Sequence, residues 1–285
     1  MGPDDSWEFA VAPPHTAPGA TSMLGYRTPA HAGTLHRGLP SSRLTFILSL
    51  DEGVESADTE AGLAAARPAP VVLGGLHLTT AFIRPARGQT GVQLAVHPLA
   101  SRALFGRPSA ELSVRDFDAL AELGADARRL HEQLAEADGW PHAFRLVVEH
   151  LVTRIDERRQ ARLRPEVARA WHLLERRHGR IAVGDLAAEV ALRRRQLGEL
   201  FTREVGRSPK AVAGLMRFEH ATDLLTAEVR RRERPALGRV AARAGYADQA
   251  HLTRDFTGRT GVPPRQWIAE ERRNIQDGSR PAAEG

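Results

Sequence analysis

The feature that most constrains this chain is a recurrence inside it. Displaced by 55 residues, the C-terminal part falls on itself: Ala187 meets Ala242, Leu197 meets Leu252, Phe201 meets Phe256, Thr202 meets Thr257, Gly206 meets Gly261 and Pro209 meets Pro264. A fixed offset of this kind means that one supersecondary unit is used twice. In each copy the residues predict a short Ala-rich helix (183–190 and 237–244), a tight turn (Ala191 and Leu192; Gly245, Tyr246 and Ala247) and a second helix (193–205 and 248–260). Leu and Phe four apart put one apolar face inward on that second helix, and a Gly ends it. Small residues let the paired helices cross closely, which is the helix-turn-helix layout whose second helix can offer its outer face to a DNA major groove. Each copy then passes through Gly-x-x-Pro into a further helix, 209–227 after the first and 264–272 after the second, with Pro at a helix start. A helix from Pro165, with Val167, Ala170, Trp171 and Leu174 on one face and Gly179 closing it, precedes them.

Charge follows the same division. Residues 1–150 hold 12 Arg against 17 acids, a net of −5, whereas 151–285 hold 27 Arg and Lys210 against 18 acids, a net of +10. Such asymmetry between halves often marks a nucleic-acid-binding module joined to something else. A chain of 285 residues suggests about two domains at roughly 100–200 residues each. No apolar run approaches the ~20 residues that span a bilayer, so a membrane span is not expected. The absence of cysteine removes disulfides, thiolate metal sites and cysteine nucleophiles. The acidic, Pro-containing start is unlike a secretory signal, and the chain reads as cytoplasmic.

The first half has a different periodicity. Residues 1–34, rich in Pro, Gly, Ala and Thr, read as a leader of little order with a short strand at 7–11. Segments 43–50, 71–83 and 90–97 are β-branched or alternating runs bounded by Gly, Pro and Ser, and read as strands; 57–70 is a polar connection. After Pro98 the spacing becomes helical, predicting a short helix with Leu99, Ala103, Leu104 and Phe105, then helices at 114–123, 126–137 and 141–158. Phe144, Val147, Val148, Leu151 and Ile155 form a stripe that packs on the β core or on a second subunit, the first being favoured, and Trp140 and Trp171 are expected packing anchors, with lining of a ligand pocket as the alternative.

The stretches LAAEVALRRRQLGELFTREVGRSPKAVAGLMRFEHATDLL at 186–225 and VAARAGYADQAHLTRDFTGRTGVPPRQW at 240–267 resemble the AraC/XylS family of transcriptional regulators, over about residues 160–270. The resemblance implies two helix-turn-helix subdomains joined by a rigid linker helix, both recognition helices entering successive major-groove segments on one face of the DNA. The N-terminal half is similar to an uncharacterised β-rich domain found ahead of such regions, on His36, Arg37, Gly38, Leu39 and Pro40 followed by a strand, and on 99–123. The expected architecture is therefore an α+β, β-rich regulatory domain with trailing helices at 35–160, behind a partly disordered leader at 1–34. An all-α domain follows at 161–272, with pairs at 183–205 and 237–260 and a linker helix at 209–227, then a disordered tail at 273–285. The implied function is sequence-specific regulation of transcription, as activator or repressor, with no enzymatic activity. Duplex DNA is the implied partner, RNA polymerase and a small-molecule effector are candidate partners, and the protein is a monomer or a homodimer.

On the first recognition helix the outward candidates are Arg194, Arg195, Gly198, Glu199, Thr202 and Arg203. The family pattern puts Arg195, Gly198 and Glu199 where bases are read. Arg195 suits guanine O6 and N7, Gly198 offers no side chain, and Glu199 repels phosphate unless it accepts from cytosine N4. On the second helix the outward candidates are Gln249, Ala250, His251, Thr253 and Arg254. Gln249 suits adenine, Ala250 a thymine methyl, Arg254 guanine or phosphate, and His251 a phosphate or a base. Arg193, Arg203, Arg207, Lys210 and Arg217 read as phosphate contacts or solvated charges, and 230–234 as a solvated basic run.

The competing class is a metal-dependent enzyme or small-molecule sensor centred on the β domain. His36, His77 and His97 lie in or beside predicted strands, but their spacings of 41 and 20 match no short metal motif, so core or edge roles, no metal site and no cofactor are expected. A methyl-accepting DNA-repair protein would need a thiolate, which the chain lacks.

Overall fold

Short apolar runs make the strands of the first half, and Leu, Phe, Met and Val side chains fill their buried faces. A computed structural model describes residues 7–28, 36–84, 88–113, 118–156, 162–231 and 234–276. The chain forms two compact units: one comprises 1–38, 43–77 and 81–163, the other 39–42, 78–80 and 164–285.

The first unit contains strands β1 (Glu8–Val11), β2 (Ala20–Arg27), β3 (His36–Gly38), β4 (Leu44–Ser49), β5 (Glu55–Ala57), β6 (Val71–Gly74), β7 (Ala81–Arg84) and β8 (Thr90–Val96). One antiparallel sheet has the order β1-β2-β8-β4-β6 and a smaller one the order β3-β7-β5. The register aligns Met23, Leu94, Phe46 and Leu73 in one cross-strand row, all buried, and Phe46 meets Phe105 edge-on at 5.6 Å. On the other face Ile47 and Val72 pack with Val54, Ala69, Tyr26 and Ile83. Helices α1 (Ser101–Phe105), α2 (Leu120–Ala135) and α3 (Gly139–Arg154) follow.

Four expectations for this unit need correction. The leader is not featureless: β2, lying within it, is an inner strand paired on both edges. Its Ser, Thr and Gly residues give little alternation because only Ala20, Met23 and Gly25 are buried, Gly25 beneath the ring of Trp140. The apolar run 71–83 is two strands in two sheets, separated where Gly75 N donates to Ser113 O at 2.7 Å and a Cβ would lie 2.6 Å from Leu112 O. The helix expected at 114–123 begins only at Leu120 among the described residues, 114–117 lying outside them, while the non-helical Gly124 (φ 71°, ψ −154°) separates it from the helix expected at 126–137, as the sequence implied. Of the expected stripe, Val147 and Leu151 are buried on α3, which ends at Arg154 and not at 158, so that Ile155 lies past the helix and is exposed.

The second unit contains α4 (Pro165–Arg176), α5 (Val183–Glu189), α6 (Arg194–Val205), α7 (Pro209–Arg230), α8 (Leu237–Ala244), α9 (Gln249–Thr260) and α10 (Pro264–Gln276). The linker helix α7 is buried nearly all round, through Val212, Leu215, Met216, Phe218, Ala221 and Leu225, and so serves as the core of the unit. Trp171 stacks on Phe201 at 5.9 Å, and Phe256 sits between Phe218 (5.2 Å) and Trp267 (5.6 Å). Residues 273–276, placed by sequence in a disordered tail, continue α10; 277–285 lie outside the described residues. Among the described residues no helix is long and apolar enough to cross a membrane.

The repeat holds with one slip. Leu197, Phe201, Leu252 and Phe256 are wholly buried, each contributing roughly 1.5–3 kcal/mol. Ala242, however, is exposed, and the buried counterpart of Ala187 is Ala241, an offset of 54. Leu192 N donates to Ala187 O and Tyr246 N to Ala241 O, so the copies match up to these residues, and Ala247 is the extra residue of the second turn.

Candidate nucleic-acid interface

Caps set where each recognition helix begins. Gln196 Oε1 accepts from Arg193 N at 3.1 Å ahead of α6, and Asp248 Oδ1 accepts from His251 N at 2.6 Å ahead of α9. Each helix ends on a left-handed Gly, Gly206 (φ 79°) and Gly261 (φ 76°). Leu197 and Phe201, and in the second copy Leu252 and Phe256, anchor the inner faces, which turns the intervening polar residues outward.

On α6, Arg194, Arg195, Glu199, Thr202 and Arg203 are exposed. Gly198 is half-exposed, and a Cβ there would meet nothing within 4 Å, so this point of the helix is an open notch. Arg195 Nε donates to Glu199 Oε1 at 2.8 Å, the largest cause of the raised Arg195 pKa. The contact also uses one edge of the guanidinium and leaves its two Nη groups outward.

On α9, Gln249, Ala250 and Arg254 are exposed. His251 and Thr253 are half-buried and already engaged. The His251 ring meets Tyr246 edge-on at 5.1 Å and its Nδ1 accepts from Ala247 N at 3.4 Å; Thr253 Oγ1 donates to Gln249 O at 2.9 Å. His251 therefore locks the turn as well as bordering the outer face.

The flanking cations divide. Arg193 and Lys210 are exposed and Arg207 half-buried. Arg217, expected at the surface, is half-buried with its guanidinium 5.8 Å from the Tyr246 ring centre, because α7 runs beneath the second turn. In the basic run Arg231 and Arg234 are exposed and Arg230 half-buried; 232 and 233 lie outside the described residues.

Sequence reasoning passed over the pair that stiffens the second turn. The Tyr246 hydroxyl donates to Asp255 Oδ2 at 2.7 Å, and Asp255 Oδ1 accepts from Arg259 Nε at 3.1 Å. Burial, then the Asp255 carboxylate, pushes the Tyr246 pKa up. The available signal was a tyrosine directly after the turn glycine. In the first unit His97 Nδ1 accepts from Leu99 N at 3.2 Å and so caps a turn. Among the described residues no three His, Asp or Glu side chains converge as metal ligands.

A family model for a helix-turn-helix domain matches residues 186–270. No curated protein matches the chain. Among solved structures the chain is similar to a transcriptional regulator with an AraC-type DNA-binding domain from Chromobacterium violaceum, at 23% identity over 39% of this chain and 91% of that one, with a TM-score of 0.33. It is similar to the C-terminal domain of the response regulator AraT from Geobacillus stearothermophilus, at 24% identity over 43% and 92% and a TM-score of 0.34. It is also similar to ToxT from Vibrio cholerae, at 9% identity over 93% and 98% and a TM-score of 0.49.

Proposed function

We propose that this protein, whose residues 186–270 match a helix-turn-helix domain family, is a sequence-specific DNA-binding regulator of transcription of the AraC type that lays α6 and α9 in adjacent major-groove segments. The observation that carries this reading is the duplicated pair: each copy buries the same Leu and Phe and leaves a polar outer face on its second helix. The excess of 28 basic residues over 18 acids in 151–285 supplies attraction to phosphate that is independent of base sequence.

Within this reading α9 is the stronger base reader, with Gln249 for adenine, Arg254 for guanine or phosphate and Ala250 for a thymine methyl. On α6 Arg195 takes guanine, while Gly198 leaves a gap and Glu199 holds Arg195. Arg194, Thr202 and Arg203 border the backbone, and His251 and Thr253 act mainly by fixing the turn. The β-rich unit has its own core and takes the regulatory role, with a small molecule as its effector. Reading base edges and phosphates requires no covalent step, so the protein is assigned as a binder and not an enzyme.

Selection of duplexes from a random library by the full-length protein tests the reading. The expected result is a two-part motif bound about 10³-fold or more tighter than bulk DNA. An enriched pool that binds no better than bulk DNA overturns it.

A further inference from the structure

Helix α8 carries no base-reading residue, yet it is the support on which α9 is set. Both its ends are held by charged side chains from outside the second helix-turn-helix. At its start the capping position is Ala236, which has no side chain with which to cap. The buried Glu228 of α7 anchors this entry instead: Oε2 accepts from Ala236 N at 3.2 Å and Oε1 from Arg239 Nη2, in the first turn, at 3.3 Å. At its end, Arg180 Nη1 donates to Arg243 O at 3.3 Å. A carboxylate thus faces the positive end of the helix dipole and a guanidinium the negative end.

Arg180 belongs to the connection between α4 and α5, immediately ahead of the first helix-turn-helix, and its backbone is firmly seated. Arg180 N donates to Arg177 O at 2.8 Å. The preceding Gly179 (φ +69°) lies so close to α7 that a Cβ would be 2.0 Å from Ala213 O. The His178 ring stacks on that of His220, also on α7, with centres 4.1 Å apart and planes 13° from parallel. From this base the Arg180 stem lies flat on the second turn: a Cβ on Gly245 (φ +82°) would stand 2.7 Å from both its Cγ and Cδ. Gly245 therefore meets two requirements, a left-handed backbone and room for an arginine that arrives from the other subdomain.

We propose that Arg180 is a positioning residue: clasping the C-terminal end of α8 while Glu228 holds the other end, it fixes the separation and twist between the two recognition helices and so sets the half-site spacing the protein accepts. The proposal rests on the DNA-binding reading above. Two rigidly joined readers tolerate one spacing, because each inserted base pair moves one half-site by roughly 3.4 Å and turns it by roughly 34°. Readers joined by a compliant hinge tolerate several.

The test uses full-length protein and the duplex selected by the wild type, rebuilt with one or two base pairs inserted or removed between its halves, together with each half alone at low salt. Wild type is expected to lose about tenfold in affinity on a single insertion, Arg180→Ala about threefold or less, and Arg180→Lys to fall between them, with half-site binding changed less than about twofold. A spacing profile for Arg180→Ala identical to wild type overturns the proposal. Equal weakening at every spacing and on both halves also overturns it, since that marks a phosphate contact. A wild type with no preferred duplex overturns the DNA-binding reading itself, and the clasp with it.

Discussion

Arg195 and Glu199 stand one turn apart on the first recognition helix, joined from Nε to Oε1 at 2.8 Å with both side chains largely in solvent. An exposed pair of this kind adds little to folding, so its consequence falls on DNA. Under the proposed reading Glu199 places a negative charge among phosphates and restrains the arginine that α6 offers to a guanine. Glu199→Gln is expected to tighten binding to bulk duplex severalfold, to steepen the salt dependence by up to about one counterion, and to relax selectivity at the base facing Arg195. Titrations of selected and scrambled duplexes at several salt concentrations measure all three, and unchanged values on both duplexes contradict the assignment.

Gly179 and Gly261 are both left-handed helix-ending glycines, at φ +69° and +76°, but only the first is pressed against its neighbours. Gly261→Ala pays backbone strain alone, about 1–2 kcal/mol. Gly179→Ala adds a Cβ 2.0 Å from the Ala213 carbonyl oxygen and must displace α4 or α7. Denaturant unfolding of the full chain is expected to rank Gly179→Ala as clearly more destabilised; equal losses would show that the approach of Gly179 to α7 is not tight.

Ala191 occupies in the first turn the place Gly245 has in the second, at φ 53° against 82°. An L residue there carries strain that glycine relieves, partly offset by the greater freedom of glycine in the unfolded chain. Ala191→Gly is expected to stabilise by about 0.5–1 kcal/mol without altering DNA affinity. A destabilised variant would contradict the left-handed assignment of this turn.

Both tyrosines of the chain are held neutral: burial, then Asp51, raises the Tyr26 pKa, and burial, then the bond to Asp255, raises that of Tyr246. The unfolded chain releases these protons near the ordinary value of 10.0, where the folded chain retains them. Above that pH the unfolded state binds fewer protons, so this contribution to stability is complete below pH 10.0 and declines as pH rises. In an alkaline absorbance titration, phenolate should appear only together with loss of the folded far-ultraviolet signal. A phenolate step near pH 10.0 with the fold intact contradicts these environments.

The helical half was legible because its information is local: Leu197 with Phe201 and Leu252 with Phe256 mark inner faces, and Gly206 and Gly261 mark ends. What escaped is set by tertiary packing. The offset slips from 55 to 54 within the first helices because Ala247 lengthens one turn, which identity matching alone joined wrongly at Ala242. Arg217 looks like any surface arginine until α7 is seen passing under Tyr246. The contact between Arg180 and Arg243 spans 63 residues and has no local signature. In the β-rich unit, β2 was hidden because backbone pairing on both edges, not side-chain alternation, defines it, and Trp140 fills the space over Gly25.

Hydroxyl-radical cleavage of the selected duplex bound by the full-length protein tests the central claim most directly. Two protected patches should appear on one face of the DNA, about one helical turn or 10–10.5 base pairs apart, with Gln249→Ala combined with Arg254→Ala erasing one and sparing the other. A single patch, or a two-part footprint that this double variant leaves intact, would contradict the claim that both outer faces read the duplex.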